Sequence, residues 1–178
     1  MDFLNIIRSI EELLYEVMAW LVFYPRTMWR AIRHPYEMMR YSEVEQTEAP
    51  EKQYTDTLSP PLFLLLSVLI SHGIEAAARE HAFLLHGGLG AEIVKSHESL
   101  LALRAITFSV FPIMFALAAL RHLGRKIDRD RLRAPFFSQC YVAAPFALAL
   151  GLASVAVRWP GEALRHAGLA AVVAIIAA

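Results

Sequence analysis

The feature that most constrains this chain is Ser59-Pro60-Pro61 at the head of an apolar run. From Leu58 to Ile74 there is no Lys, Arg, Asp or Glu. Two prolines in the first turn of a helix cost little, because first-turn N–H groups have no intrahelical partner. The pattern therefore predicts a helix that starts at the prolines and enters a bilayer. A hydrocarbon core of about 30 Å needs roughly 20 helical residues to cross it. Three windows are long enough, at about 58–77, 100–120 and 135–157. A fourth begins near Ala167 and reaches only Ala178, so it is read as an incomplete span of a longer protein. The expected fold class is all-α: a polytopic transmembrane helical bundle with N-terminal amphipathic interfacial helices. Residues 1–40 form the interfacial part, 41–57 an acidic tether and 58–178 the bundle.

Composition narrows the class. Hydrophobic residues make up 57% and charged residues 19%, against averages of roughly 45–50% and 25%, and the charges are confined to a few stretches. The balance of 17 basic and 17 acidic residues leaves no electrostatic footprint for nucleic acid. One cysteine, Cys140, excludes an intramolecular disulfide and a Cys-rich metal site. It lies in an apolar run and reads as a packed neutral thiol.

The positive charges set the expected orientation. The loop with Arg121, Arg125, Lys126, Arg129, Arg131 and Arg133 is the richest, and the front portion carries Arg26, Arg30, Arg33, Arg40 and Lys52. Both belong on the cytoplasmic side of the membrane, with the N-terminus inside. The segments with Arg79 and Lys95, and with Arg158 and Arg165, are poorer and belong outside. Trp159 fits an interfacial anchor there. Asp2, Glu11, Glu12 and Glu16 interrupt any signal-peptide core.

In the front portion, Asn5, Arg8, Ser9, Glu12 and Glu16 form one polar stripe at helical spacing, and apolar residues cover the rest. So wide an apolar arc on a net-negative helix favours packing on a partner or on the bundle over binding to anionic lipid. Pro25 is expected to end this helix. Arg26, Arg30 and Arg33 then fall on one face of a short basic helix with Trp29 and, further on, Arg40. These five are the candidate lipid-headgroup residues. A break is expected at Pro35. Residues 41–57 show no apolar periodicity and read as a tether able to fold back onto the arginines.

The stretch Tyr24-Pro25-Arg26-Thr27-Met28-Trp29-Arg30-Ala31-Ile32-Arg33-His34-Pro35, then an acidic tether, then Pro-headed spans with short loops, resembles bacterial members of the Yip family, often labelled only "permease". That resemblance implies a cytoplasmic N-terminal region, about five membrane helices and a role in membrane organisation and partner binding. It brings no catalytic residues.

Candidate chemistry is sparse. His72 and Glu75 lie at i, i+3, and with His81 and His86 they make a weak metal constellation. The simpler reading is a polar extracytoplasmic cap with a turn at Gly87-Gly88-Leu89-Gly90. Glu75 and Arg104, near the outer ends of the first two spans, are expected to approach each other as an intramembrane ion pair. Pro112 and Pro145 lie within spans two and three. Ala143, Ala147 and Gly151 form a small-residue face suited to close helix packing. Ser67, Ser71, Thr107 and Ser109 are expected to bond back to helix carbonyls. No nucleophile sits beside a base, and no cofactor is expected. The expected function is non-catalytic: an accessory or membrane-organising subunit, in contact with the lipid bilayer, that binds another membrane protein or itself. The alternatives are a small-molecule or lipid transporter with a path between spans two and three and, third, a membrane metalloenzyme.

Overall fold

The computed structural model describes the backbone of residues 3–85, 97–124, 126–159 and 161–177, and the side chains of 5, 7–50, 52–78, 105–124, 126–159 and 161–175. Among them the chain is all-helical: α1 (Phe3–Arg33), α2 (Pro35–Glu45), a 3-10 turn (Pro50–Lys52), α3 (Pro60–Leu85), α4 (His97–His122), α5 (Arg129–Arg158) and α6 (Glu162–Ala177). Three of these helices, α3, α4 and α5, are long and apolar enough to cross a membrane.

Pro60 and Pro61 open α3 as the sequence predicts, and the first helical bond runs from the Phe63 amide to the Ser59 carbonyl at 2.9 Å. Pro35 opens α2 after a break at His34. Pro25 corrects the sequence reading, because α1 runs through it for 31 residues. An internal proline costs about 3 kcal/mol, yet packing holds this stretch in line. Thr27, Met28 and Ala31 are buried and Tyr24 is half-buried against the bundle, while Pro25 and Leu21, whose carbonyl loses its amide partner, face outward. The separate basic helix expected over Arg26–Arg40 is therefore the end of α1 plus the start of α2.

The expected tether is also partly helical, since α2 continues to Glu45. Its remainder is pinned rather than loose. Tyr54 takes a left-handed backbone (φ +57°) that a non-glycine residue adopts at a cost. Its amide donates to the Glu45 carboxylate, and its hydroxyl accepts from Gln46 Nε2 at 2.6 Å.

α5 is the centre of the molecule and touches every other α-helix. It begins six residues before the expected span, because its charged first turns remain helical beyond the apolar stretch. The turn from α4 closes on Gly124, whose φ of +62° gives the left-handed stop that favours glycine. α6 starts earlier than expected, at Glu162, and crosses α5 closely. A Cβ on Gly168 would lie 2.6 Å from the Val157 amide nitrogen.

The core joins α1, α3 and α5 through rings. Phe63 stacks at 5.5 Å on Tyr24 and at 5.9 Å on Tyr141, measured between ring centres. Ser67 and Ser109 bond back to the carbonyls of Phe63 and Ala105 at 2.9 and 2.7 Å, as expected. Ser67 also shares a 3.0 Å hydrogen bond with Tyr24, which ties α1 to the span.

Candidate functional site

The most organised polar region lies at the Pro60 end of α3, where α1, α2 and α5 converge on Asp56, Thr57 and Leu58. Asp56 accepts from the Tyr41 hydroxyl at 2.6 Å and from Arg30 at 3.0 Å, with Arg26 at 3.9 Å. The Arg30 guanidinium also lies 5.1 Å over the Tyr41 ring, a favourable cation–π distance. Thr57 stands 3.2 Å from the hydroxyls of both Tyr41 and Tyr141. Each hydroxyl has one proton to give. Tyr41 donates to Asp56 and Tyr141 donates to the Leu58 carbonyl at 2.7 Å, so the Thr57 proton goes to one of the two tyrosine oxygens. The Leu58 amide, in turn, donates to Thr27 Oγ1 at 3.2 Å.

The electrostatics favour a static link. Burial alone would raise the Asp56 pKa, but the Tyr41 hydroxyl and the charges of Arg30 and Arg26 outweigh it and hold the carboxyl below its ordinary value. Burial, reinforced by Asp56, pushes Tyr41 up, and burial raises Tyr54 as well. A carboxylate this acidic beside a phenol this weak makes a poor acid–base pair near neutral pH. The arrangement is a clasp that fastens α1 and α2 to the mouth of the spans. Tyr141→Phe strands the Leu58 carbonyl and is expected to cost about 1–3 kcal/mol. Thermal unfolding in detergent measures it, and a midpoint equal to wild type would mean that this hydroxyl carries nothing.

The candidate headgroup residues divide in this geometry. Arg30 is half-buried and turned onto Asp56, and Arg26 leans the same way. Arg33 lies 5.6 Å over the Trp29 ring, and Arg40 is exposed. The sequence reading missed Asp56, Tyr41, Thr57 and Tyr141 as a group. The nearest signal was Tyr24, Thr27 and Ala31 on one face of the helix, opposite a lone Asp ahead of the Pro pair.

The small-residue face is occupied within the chain. Ala147 and Gly151 are buried and Ala143 is half-buried. A Cβ on Gly151 would fall 1.7 Å from Ser71 Oγ of α3. The face thus serves close helix packing within the chain, with α3 seated against Gly151.

Glu75 is 3% exposed on α3 and accepts a close hydrogen bond from Ser154 of α5. The expected contact with Arg104 involves a side chain outside the described residues, as do the side chains of His81 and His86 and the Gly87–Gly90 turn. His72 is half-buried one turn from Glu75. Among the described residues there is no group of three or more His, Cys, Asp or Glu able to hold a metal. Cys140 is fully buried, as a packed thiol should be.

Two spaces adjoin the helices expected to form a transport path. The space among α3, α4 and α5 holds about 60 Å³ and is apolar apart from Ser109. A larger recess of about 610 Å³ between α4 and α5 includes Arg129, Asp130 and Arg133, all in the first five residues of α5. Its charges therefore lie at the helix end and not at mid-span. The chain matches no protein-family model, no curated protein and no solved structure, so its own geometry carries the functional reading.

Proposed function

We propose that this chain is a non-catalytic membrane protein that uses α1 as a docking arm for another membrane protein or a second copy of itself. One observation carries the proposal. Ile7, Ile10, Leu14, Met18, Leu21, Pro25, Trp29 and Ile32 recur at three- and four-residue steps, which places them on one face of α1, and all are exposed. Leu21, in the middle of the stripe, is 71% exposed. Continuity through Pro25 lengthens this face to most of the helix, beyond what two separate helices would offer. The clasp holds α1 by its other side, through Tyr24, Thr27 and Arg30, so the stripe is left for a partner.

Charge favours protein over a lipid surface as the occupant. Glu11, Glu12 and Glu16 outnumber Arg8 in the N-terminal half, which opposes attraction to anionic headgroups. The likeness to the Yip family supports the same reading, with the arm in the cytoplasm of a bacterium, and the placement of positive charge supports the cytoplasmic side. The clasp joins a depressed carboxylate to a raised phenol, which suits attachment better than reaction.

A cysteine at position 18 tests this reading, because the single native cysteine is buried and stays silent. In native membranes, Met18→Cys treated with a short thiol-to-amine cross-linker is expected to give a discrete heavier species containing either a second copy or one other membrane protein. Leu14→Glu together with Leu21→Glu should abolish it. A cross-linked product that is unchanged by the two glutamates, or the recovery of monomer alone, would overturn the docking arm.

A further inference from the structure

A crevice of about 510 Å³ opens where α1 crosses the Pro60 end of α3. Trp20, Phe23, Leu62 and Phe137 give it apolar and aromatic walls, and Glu16 and Arg133 contribute one charge of each sign. Both charged residues are exposed, and no ion pair joins them to each other or to another described group. The Arg133 guanidinium rests 5.2 Å over the Phe137 ring, which holds it against the wall. Glu16, Trp20 and Phe23 share a face of α1 at i, i+4 and i+7, away from the outer stripe.

We propose that this crevice holds the headgroup of a phospholipid that carries both a phosphate and a primary ammonium. The phosphate pairs with Arg133, whose planar fork suits phosphate oxygens. The ammonium donates to Glu16 and lies among aromatic faces that attract cations. A purely anionic headgroup would satisfy Arg133 and set like charge against Glu16. A trimethylated ammonium has no N–H to donate to the carboxylate.

The acyl chains have a path out of the crevice. Leu62, Leu65 and Leu69 lie at i, i+3 and i+7, on one face of α3. Leu65 is 47% and Leu69 40% exposed on a helix apolar enough to cross a membrane. This track along a span is what distinguishes a lipid from a soluble zwitterion or a peptide. The volume lies within the roughly 300–1,000 Å³ of ordinary ligand sites. The site is separate from the docking stripe and stands or falls without it.

Native mass spectrometry of the full chain in mild detergent tests the proposal, with dioleoyl phosphatidylethanolamine, phosphatidylcholine and phosphatidylglycerol supplied at equal concentration. Phosphatidylethanolamine is expected to be retained about tenfold more than phosphatidylglycerol, the ratio given by one charge-assisted contact. Glu16→Lys should reverse that order, a gain of phosphatidylglycerol that misfolding cannot produce. Ala19→Trp places an indole in the crevice without touching either charge and should reduce retention of all three lipids. Equal retention of the three by wild type, or an order unchanged in Glu16→Lys, would overturn the proposal, as would retention that survives Ala19→Trp.

Discussion

Gly151→Ala is expected to destabilise the chain by about 1–3 kcal/mol, although glycine to alanine inside a helix normally stabilises. The added methyl would fall 1.7 Å from Ser71 Oγ and 2.8 Å from Ser71 Cβ. The buried Ser71 hydroxyl can turn about its single torsion, but its Cβ is fixed to the backbone and cannot swing aside. The helices must separate or the pair must change together. Ser71→Gly combined with Gly151→Ala should recover more than half of the loss, since the new methyl then faces the Ser71 α-carbon position at 3.4 Å. Gly73→Ala, which meets nothing within 4 Å, is the control and should be neutral or stabilise by up to about 1 kcal/mol. Thermal unfolding in detergent measures all three. An undiminished midpoint for Gly151→Ala would show that α3 and α5 do not meet this closely.

Asp56→Asn should free the arm from the spans. The amide keeps a weak acceptor for Tyr41 and loses the charge that gathers Arg30 and Arg26. Hydrogen bonds to charged groups are worth about 1.5–3 kcal/mol. The partial exposure of Asp56 and Arg30 reduces the expected loss to about 1–2 kcal/mol. Amide exchange should rise selectively in 19–31 and 35–45, with α4 and α6 unchanged. Acid should do the same to the wild type. The folded pKa of Asp56 lies below its ordinary 3.8, so its contribution is complete above about pH 4 and is lost as pH falls through the folded value. In Asp56→Asn this acid step disappears. An equally protected α1 in wild type and Asp56→Asn would show that the rings and Thr27 hold the arm without the carboxylate.

What could be read from the sequence was whatever depends on local apolar content. The Pro60–Pro61 start, the three candidate spans, the break at Pro35 and the back-bonded serines all follow from runs and first-turn chemistry. Pro25 was misread because local propensity counts its missing amide and cannot count the packing of Thr27, Met28 and Ala31. The segment after Arg40 was misread because α2 is held by Tyr41, Ser42 and Tyr54 against α5, and polar packing of this kind leaves no apolar period. The clasp was invisible for a further reason: its members lie as far apart as Thr57 and Tyr141, and no spacing rule connects them. The small-residue face was legible as a packing surface, but its pattern does not say which helix fills it.

The separation of Thr57 from Tyr141, 84 positions along the chain, also has a meaning in time. At ribosomal rates of about 5–20 residues per second, that interval takes roughly 4–17 s. During it α1 can reach Asp56, Phe63 and Ser67, but the Tyr141 side of the clasp is still missing. The arm is therefore made well before the helix that completes its seat. For those seconds the clasp is held by its front half alone, and it closes only when α5 emerges.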